Sequence, residues 1–220
     1  MRTQERYKDY FKDHYGATFS KADFKQADFL FSQFKFINKV VNLDSYKNKE
    51  VLEVGSALGA FAQILMDFGI KNYHGIEVDK DAVNFANKNL GNYFENLALE
   101  EIGGKNSYDL IFALEVLEHL NDPSKGIKII YKLLKKGGIF IGTSPYPFQK
   151  NVLGDPTHRY CLHPKNWEKL FAENRFSKIK TYPMSFFPFI WRINKKLNIR
   201  IPFYIPMKYF ISTTLIIGEK

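Results

Sequence analysis

The apolar residues of this 220-residue chain follow two spacings, and their alternation predicts the elements of the fold. From residue 21 to residue 43 they recur every three or four positions, which is typical of one face of a helix. After residue 50, short continuous apolar runs alternate with further stretches of helical spacing, over 59–68, 81–89, 123–135 and 164–172. The apolar runs predict seven strands, over 51–55, 73–78, 93–97, 108–114, 139–143, 178–183 and 213–217.

Strands that alternate with helices of this length predict an α/β fold. Right-handed crossovers would then give a Rossmann-like, doubly wound, mostly parallel seven-stranded sheet with helices on both faces. We expect an N-terminal helical segment over 1–48 and one α/β domain over 49–220. Because ligands of such sheets bind beyond the carboxyl ends of the strands, polar residues at those ends are the candidates for a site.

The stretch VLEVGSALGAF, residues 51–61, places small residues where the first predicted strand turns into a helix. Small residues let the backbone approach a ligand, and the N-terminus of the helix can face an anion. Glu77 ends the second strand, 77 − 55 = 22 residues after Gly55, where an acid can accept hydrogen bonds from ribose hydroxyls. We expect Asp79, two residues further, to cap the next helix. The alternative is that Gly55 and Gly59 only permit a sharp turn.

Two cofactor classes use this arrangement of turn and acid. A nicotinamide cofactor would call for glycines at 55, 57 and 60, and the chain has only the first of them. In the pattern acid-x-G-x-G-x-G, by contrast, Glu53, Gly55 and Gly59 match, and Ala57 replaces the middle glycine. This stretch resembles the first motif of the class I S-adenosylmethionine-dependent methyltransferases. The extra methyl group of Ala57 is expected to weaken cofactor binding without abolishing it.

Four later segments also resemble that family: GIEVDKDAV, YDLIFALEVLEHLNDP, LLKKGGIFIGTSP and DPTHRYCLHPKNWEKLFAENRF. The last is similar to a segment of a broad small-molecule branch, and the resemblance covers residues 49 to about 182. It implies S-adenosylmethionine as the cofactor and a methyl-transfer reaction. It further implies that the cofactor is bound by Glu53, Gly55, Ser56, Ala57, Gly59, Glu77, Val78, Asn96, Leu97 and Glu115.

Three residues beyond the predicted fourth and fifth strands are the catalytic candidates. His158 follows the fifth strand, where the substrate is expected, and is the candidate base for a hydroxyl or amine acceptor. Glu115 ends the fourth strand and could face either the cofactor or the substrate, and His119 follows it. Either histidine could instead be a structural hydrogen-bonding group. We expect no metal site, because the five histidines are scattered along the chain and resemble no zinc pattern.

Charge and composition limit the classes of partner and the cellular location that the sequence predicts. The net charge is +9, and eight positive residues between Glu173 and Glu219, with no carboxylate among them, leave only 9 − 8 = +1 for the rest. A basic face can attract an anionic substrate, anionic lipid or nucleic acid. The first residues contain no signal-peptide pattern, no stretch is apolar over about 18 residues, and Cys161 is the single cysteine. We therefore expect a cytoplasmic protein that could lie peripherally on a membrane.

Residues 186–210 form an apolar and basic stretch, interrupted by prolines, between the last two predicted strands. A long insertion in a compact domain tends to be functional. It could be a lid over a small-molecule substrate, a contact with anionic lipid, or a dimer interface. The sequence thus favours a methyltransferase that modifies a small molecule, apolar, anionic or lipid-linked, as a monomer or homodimer without nucleic acid. The alternatives are a methyltransferase-fold protein that modifies or binds nucleic acid and an NAD-dependent oxidoreductase.

Overall fold

The computed structural model describes residues 27–147, 156–186, 200–205 and 211–220. The chain divides into two compact units, residues 1–103 and 104–220. Their described elements alternate between strands and helices as the apolar pattern predicts, and they include the seven predicted strands.

The described residues of the first unit form a three-stranded parallel sheet with helices. Its elements are helix α1 (Ala27–Val41), a 3-10 turn (Leu43–Tyr46), strand β1 (Glu50–Val54), helix α2 (Ala60–Phe68), strand β2 (Asn72–Glu77), helix α3 (Lys80–Leu90) and strand β3 (Phe94–Asn96). Strand β2 pairs in parallel with both β1 and β3. Its core is formed by fully buried side chains from strands and helices, among them Leu52, Phe61, Leu65, Ile76 and Ala86.

Local sequence explains where these helices begin and end. Helix α2 begins directly after Gly59, whose φ is 82° and at which a Cβ atom would lie 2.8 Å from Leu90 Cδ1. Both the backbone conformation and the packing therefore call for glycine there. The helix ends at Gly69, in the left-handed conformation that commonly ends helices. Asp79 caps α3 as predicted, since its carboxylate accepts hydrogen bonds from the N–H groups of Asp81 and Ala82 at 2.8 and 2.9 Å.

The described residues of the second unit form five strands and two α-helices. Its elements are strand β4 (Tyr108–Leu114), a 3-10 turn (Leu117–His119), helix α4 (Pro123–Leu133), strand β5 (Leu134–Pro145), helix α5 (Pro164–Glu173) and strands β6 (Ser177–Phe186), β7 (Arg200–Ile201) and β8 (Ile211–Glu219). The strand order is β4-β5-β8-β6-β7. Strands β4 and β5 are parallel, whereas β8 is antiparallel to both β5 and β6.

Strand β5 is longer than the sequence predicts. The expected helix over 123–135 ends at Leu133. The strand runs from Leu134 to Pro145 and includes the adjacent glycines Gly137 and Gly138. Gly137 adopts a φ of 75°, and its N–H donates to the carbonyl oxygen of Lys220 at 3.0 Å, while the Lys220 N–H donates to Gly138. Two adjacent glycines are by themselves typical of a loop. Here their backbone hydrogen bonds with Lys220 make them part of β5.

The expected insertion over 186–210 is described only in part. Residues 187–199 and 206–210 lie outside the described residues. Within the remainder, Arg200 and Ile201 form β7, an eighth strand beyond the seven predicted, which pairs antiparallel with the end of β6. Tyr204 stacks on Tyr146 with 3.8 Å between ring centroids. Among the described helices, none has the length and apolar character that a membrane span needs.

Candidate active site

The glycine-containing turn after β1 is held in an unusual backbone conformation. Gly55, Ala57 and Gly59 have φ values of 72°, 47° and 82°, in the left-handed region that glycine tolerates best. The N–H groups of Gly55 and Ser56 both donate to the carbonyl oxygen of Ile76, at 2.9 and 3.1 Å. The turn is therefore tied to the end of β2. The first N–H groups of helix α2, which have no acceptor within a helix, follow it directly.

Glu77, the last residue of β2, connects the end of this strand to the turn after β1. Its carboxylate accepts hydrogen bonds from the N–H groups of Val78 at 2.7 Å, Asp79 at 3.0 Å and Ala57 at 3.0 Å. Burial raises the pKa of Glu77, and these three hydrogen bonds oppose that effect. A carboxylate offers about four lone-pair positions, so it retains acceptor capacity for a ligand hydroxyl.

Asn96 and Leu97 lie beside Glu77 at the end of β3. The side-chain Nδ2 of Asn96 donates to the carbonyl oxygens of Glu77 and Val78, both at 3.0 Å. The N–H of Leu97 donates to the same Glu77 carbonyl oxygen at 3.0 Å. Because its amide nitrogen is engaged, Asn96 presents its side-chain oxygen as the acceptor for a donor such as an exocyclic amine.

Glu53 has a different environment from that of the other predicted cofactor residues. It is buried in β1, and the hydroxyl of Tyr73 donates to its carboxylate at 2.6 Å. Burial raises the pKa of Glu53 to about 8, against the lowering effect of that hydrogen bond. Glu53 is therefore protonated at neutral pH and forms a buried pair with Tyr73. The sequence did not predict this pair, and cofactor binding by Glu53 stays a prediction.

In the second unit, Glu115 lies at the end of β4 in a strained conformation. Its φ of 54° is in the left-handed region, which is uncommon for a residue other than glycine and is a conformation that active sites often contain. The hydroxyl of Thr213, from β8, donates to Glu115 Oε1 at 2.7 Å. Burial raises the pKa of Glu115, while the hydrogen bonds from Thr213 and Thr143 and the charge of nearby His158 lower it. No local pattern marked Thr213, because it lies 98 residues further along the chain.

Glu118, His119 and His158 lie close together, and we call them the acid–histidine cluster. The imidazole rings of His119 and His158 have centroids 4.8 Å apart, and His119 Nε2 is 4.0 Å from Glu118 Oε1. Glu118 is fully buried, whereas both histidines are partly exposed. The sequence proposed the two histidines as separate candidates and did not select Glu118. The fold places all three together.

The arrangement in the first unit fits the cofactor that the sequence resemblance implies. A buried carboxylate, fixed by three N–H groups, suits the paired hydroxyls of a ribose. The turn of small residues before α2 admits the close approach of a ligand, and the Asn96 oxygen suits the adenine amine. Ala57 shares the left-handed conformation of Gly55 and Gly59, so its methyl group does not prevent the turn from forming.

Comparisons with known proteins identify the family to which the chain belongs. The family described as a methyltransferase domain matches residues 29–188. The mitochondrial ubiquinone biosynthesis O-methyltransferase of Dictyostelium discoideum is 26% identical over 156 residues, covering 56% of this chain and 48% of that protein. A tRNA U34 carboxymethyltransferase of Helicobacter acinonychis is 32% identical over 108 residues, covering 45% of this chain and 41% of that protein. The chain thus spans about half the length of these curated relatives.

Solved structures show the same fold. The crystal structure of magnesium protoporphyrin IX methyltransferase from Synechocystis, with bound S-adenosylmethionine, aligns with a TM-score of 0.65 at 18% identity. The alignment covers 100% of this chain and 98% of that one. It confirms the predicted Rossmann-like α/β architecture.

Proposed function

The chain belongs to the class I S-adenosylmethionine-dependent methyltransferases, and we propose from that premise that it methylates an oxygen or nitrogen atom of a small organic molecule. The cofactor, when bound, supplies an electrophilic methyl group on its sulfonium. The family assignment excludes the alternative that the chain is a nicotinamide-dependent oxidoreductase. The substrate class is proposed because the relatives include both small-molecule and tRNA enzymes.

We assign the binding of the cofactor to the first unit. Glu77 would accept hydrogen bonds from the ribose hydroxyls, and Asn96 would accept one from the adenine amine. The turn at Gly55, Ser56, Ala57 and Gly59 would pass close to the cofactor, with Val78 and Leu97 lining it. The protein's main contribution is to hold the acceptor and the methyl group in line, which can supply roughly 7–11 kcal/mol of the barrier.

The observation that carries the proposed acceptor class is the acid–histidine cluster beside Glu115. A hydroxyl or protonated amine must lose a proton when it is methylated, and a positioned base contributes about 10²–10⁴-fold. His158 is our candidate base, since it is partly exposed and interacts electrostatically with Glu115. Glu115 and His119 would orient it and the substrate.

The test is a transfer assay with labelled S-adenosylmethionine and separate panels of phenols, sugar nucleotides, amines and tRNA. We expect methyl transfer to a hydroxyl or amine of a small molecule. We also expect His158→Ala to reduce turnover at least about 100-fold while the affinity for S-adenosylhomocysteine is kept. His163→Ala, at an exposed histidine before α5, is the matched control. Transfer to tRNA alone would overturn the small-molecule proposal.

The tRNA alternative rests on two observations. The net charge of +9 favours a polyanion, and one relative is a tRNA carboxymethyltransferase. It predicts binding of tRNA whose affinity falls steeply as salt is raised. A filter-binding titration at two salt concentrations, with S-adenosylhomocysteine present, separates the two functions.

A further inference from the structure

The acid–histidine cluster has the composition of a metal site. Glu118, His119 and His158 each offer one ligand atom, and these atoms all lie within 4.8 Å of one another. We propose that the three residues bind one divalent transition-metal cation of the Zn²⁺, Fe²⁺ or Co²⁺ type. This departs from the sequence-based expectation of no metal, because the fold brings together histidines that are 39 residues apart (158 − 119 = 39).

Hydrogen bonds of the two residues that follow His158 hold the cluster together. The carbonyl oxygen of Glu118 accepts hydrogen bonds from the N–H groups of Arg159 at 2.8 Å and Tyr160 at 3.1 Å. The guanidinium of Arg159 and the hydroxyl of Tyr160 donate to the side chain and carbonyl of Asn121, at 2.8 and 3.2 Å. The loop that carries His158 is therefore fixed against the 3-10 turn that carries the other two residues.

The hydrogen bond of His119 sets the nitrogen that can bind a cation. Its Nδ1 lies 3.2 Å from the carbonyl oxygen of Thr157, and a carbonyl oxygen can only accept. In neutral His119 the proton is therefore on Nδ1 and the lone pair on Nε2, which is the atom 4.0 Å from Glu118 Oε1. In metal-binding histidines, the ring nitrogen that does not bind the metal almost always donates its N–H to a carboxylate, a backbone carbonyl oxygen or water.

The distances suit a cation after a small adjustment. Ligand atoms about 2.0–2.2 Å from a cation lie about 3–3.6 Å apart when they are neighbours in a tetrahedral or octahedral shell. Rotation of the partly exposed histidine side chains can supply the remaining contraction. Glu118 is fully buried, so its carboxylate is held in place by the packing around it. Two imidazoles and a carboxylate favour transition cations over Mg²⁺ or Ca²⁺.

Three protein ligands leave a coordination position for another group. Its use rests on the proposed function: an acceptor hydroxyl bound there would become more acidic, release its proton to solvent and present an oxyanion to the methyl group. His158 cannot serve as both base and ligand, because a lone pair bound to a cation cannot take up a proton. A bound cation would therefore replace the base.

The test is a Co²⁺ titration of the full chain after removal of metals with a chelator, followed by visible absorption. We expect one equivalent to bind and to give the d–d bands of a site with nitrogen and oxygen ligands. His158→Ala, His119→Ala and Glu118→Gln should each weaken binding at least about 10-fold. His74→Ala is the matched control, because His74 pairs with Glu95 at 3.3 Å in the first unit and should not affect Co²⁺ binding.

Circular dichroism of each variant shows whether it folds. If buried Glu118→Gln does not fold, the two variants of the partly exposed histidines still decide. Absence of Co²⁺ binding, or binding unchanged in both histidine variants, would overturn the site. Calorimetry with S-adenosylhomocysteine on the same samples separates the two proposals: cofactor binding without Co²⁺ binding removes only the metal site, and Co²⁺ binding without cofactor binding removes only the proposed function.

Discussion

A hydrogen bond between Ala57 and Glu77 joins the turn after β1 to the end of β2. The N–H of Ala57 donates to Glu77, and the turn that presents this N–H needs left-handed backbone at three of five residues. Glu53 and Tyr73 form a second such pair, buried between the same two strands. At this scale, the hydrogen bonds and the burial of the carboxyl groups proposed for the site are set by their neighbours.

Glu77→Ala tests the ribose contact. The variant should weaken binding of S-adenosylhomocysteine by about 1.5–3 kcal/mol, because hydrogen bonds to a charged acceptor are lost. Glu77→Gln keeps one acceptor oxygen and should lose less. Glu95→Ala, at an exposed acid on the neighbouring strand, is the control for calorimetry. Equal affinity in wild type and Glu77→Ala would contradict the role of Glu77.

Ala57→Gly tests the strain in the turn. Left-handed backbone costs an L-residue roughly 1–2 kcal/mol, and glycine avoids this cost while losing some backbone entropy on folding. We expect the free energy of unfolding to rise by up to about 1 kcal/mol and the cofactor affinity to rise as well. Urea unfolding and calorimetry measure the two effects. Ala60→Gly, in the first turn of α2, should instead destabilise the protein.

Glu53 should make stability depend on pH. Its pKa is about 8 in the folded protein and 4.5 in the unfolded chain, so the folded state holds the proton more tightly. The stabilisation is complete below pH 4.5 and is lost as the pH rises towards 8, at most about 1.4 kcal/mol per pH unit. Glu53→Gln should make this slope shallower, leaving the contributions of Glu77 and Glu115, whose pKa values burial also raises. Exposed Glu50→Gln on the same strand should keep the full slope. Urea unfolding between pH 5 and 8 that gives parallel curves for all three proteins would show that Glu53 is not responsible.

At the scale of elements, residues close in sequence determine where each helix begins and ends, whereas pairing with distant residues determines how far each strand extends. Asp79 and Gly69 act within a few residues of their own position, and so does Asp122, which caps α4 by accepting a hydrogen bond from the N–H of Lys125 at 3.0 Å. The helices therefore begin and end close to where the sequence predicts. Strand β5 begins earlier than predicted because Gly137 and Gly138 pair with Lys220 at the other end of the unit.

Asp79→Ala tests the cap of helix α3. Two N–H groups would lose their acceptor, and the free energy of unfolding should fall by about 0.5–2 kcal/mol. Asp81→Ala, an exposed acid in the first turn of the same helix, should cost less because it caps no N–H group. Urea unfolding at neutral pH compares them. A loss as large in Asp81→Ala as in Asp79→Ala would attribute the effect to the helix dipole instead.

At the scale of the whole molecule, the apolar and basic stretch over 186–210 is the segment to which the lid, lipid and dimer hypotheses apply. Within this stretch, Arg200 and Ile201 form β7, and the Arg200 guanidinium donates to the carbonyl oxygen of Pro183 at 2.9 Å. The lid, lipid and dimer interpretations of residues 186–210 remain predictions.

Replacement of residues 188–199 by a short Gly/Ser turn tests the lid. It leaves β7 intact, so S-adenosylhomocysteine should bind as in wild type while substrate turnover is lost. The lipid interpretation instead predicts sedimentation with anionic vesicles that weakens as salt is raised. The dimer interpretation predicts a doubled mass in solution that the replacement halves. Full turnover in the replaced protein would argue against the lid.

The sequence by itself determined the order of the elements, the glycine turn, the Asp79 cap and the acid at the end of β2. These follow from apolar periodicity and from residue types that act over a few positions, and the motifs they build also indicated the family. Only the tertiary structure decided that Tyr73 pairs with Glu53, that Thr213 reaches Glu115, and that His119 and His158 meet beside Glu118. Such contacts depend on strand register and loop anchoring between residues far apart in the chain, and no local spacing encodes them.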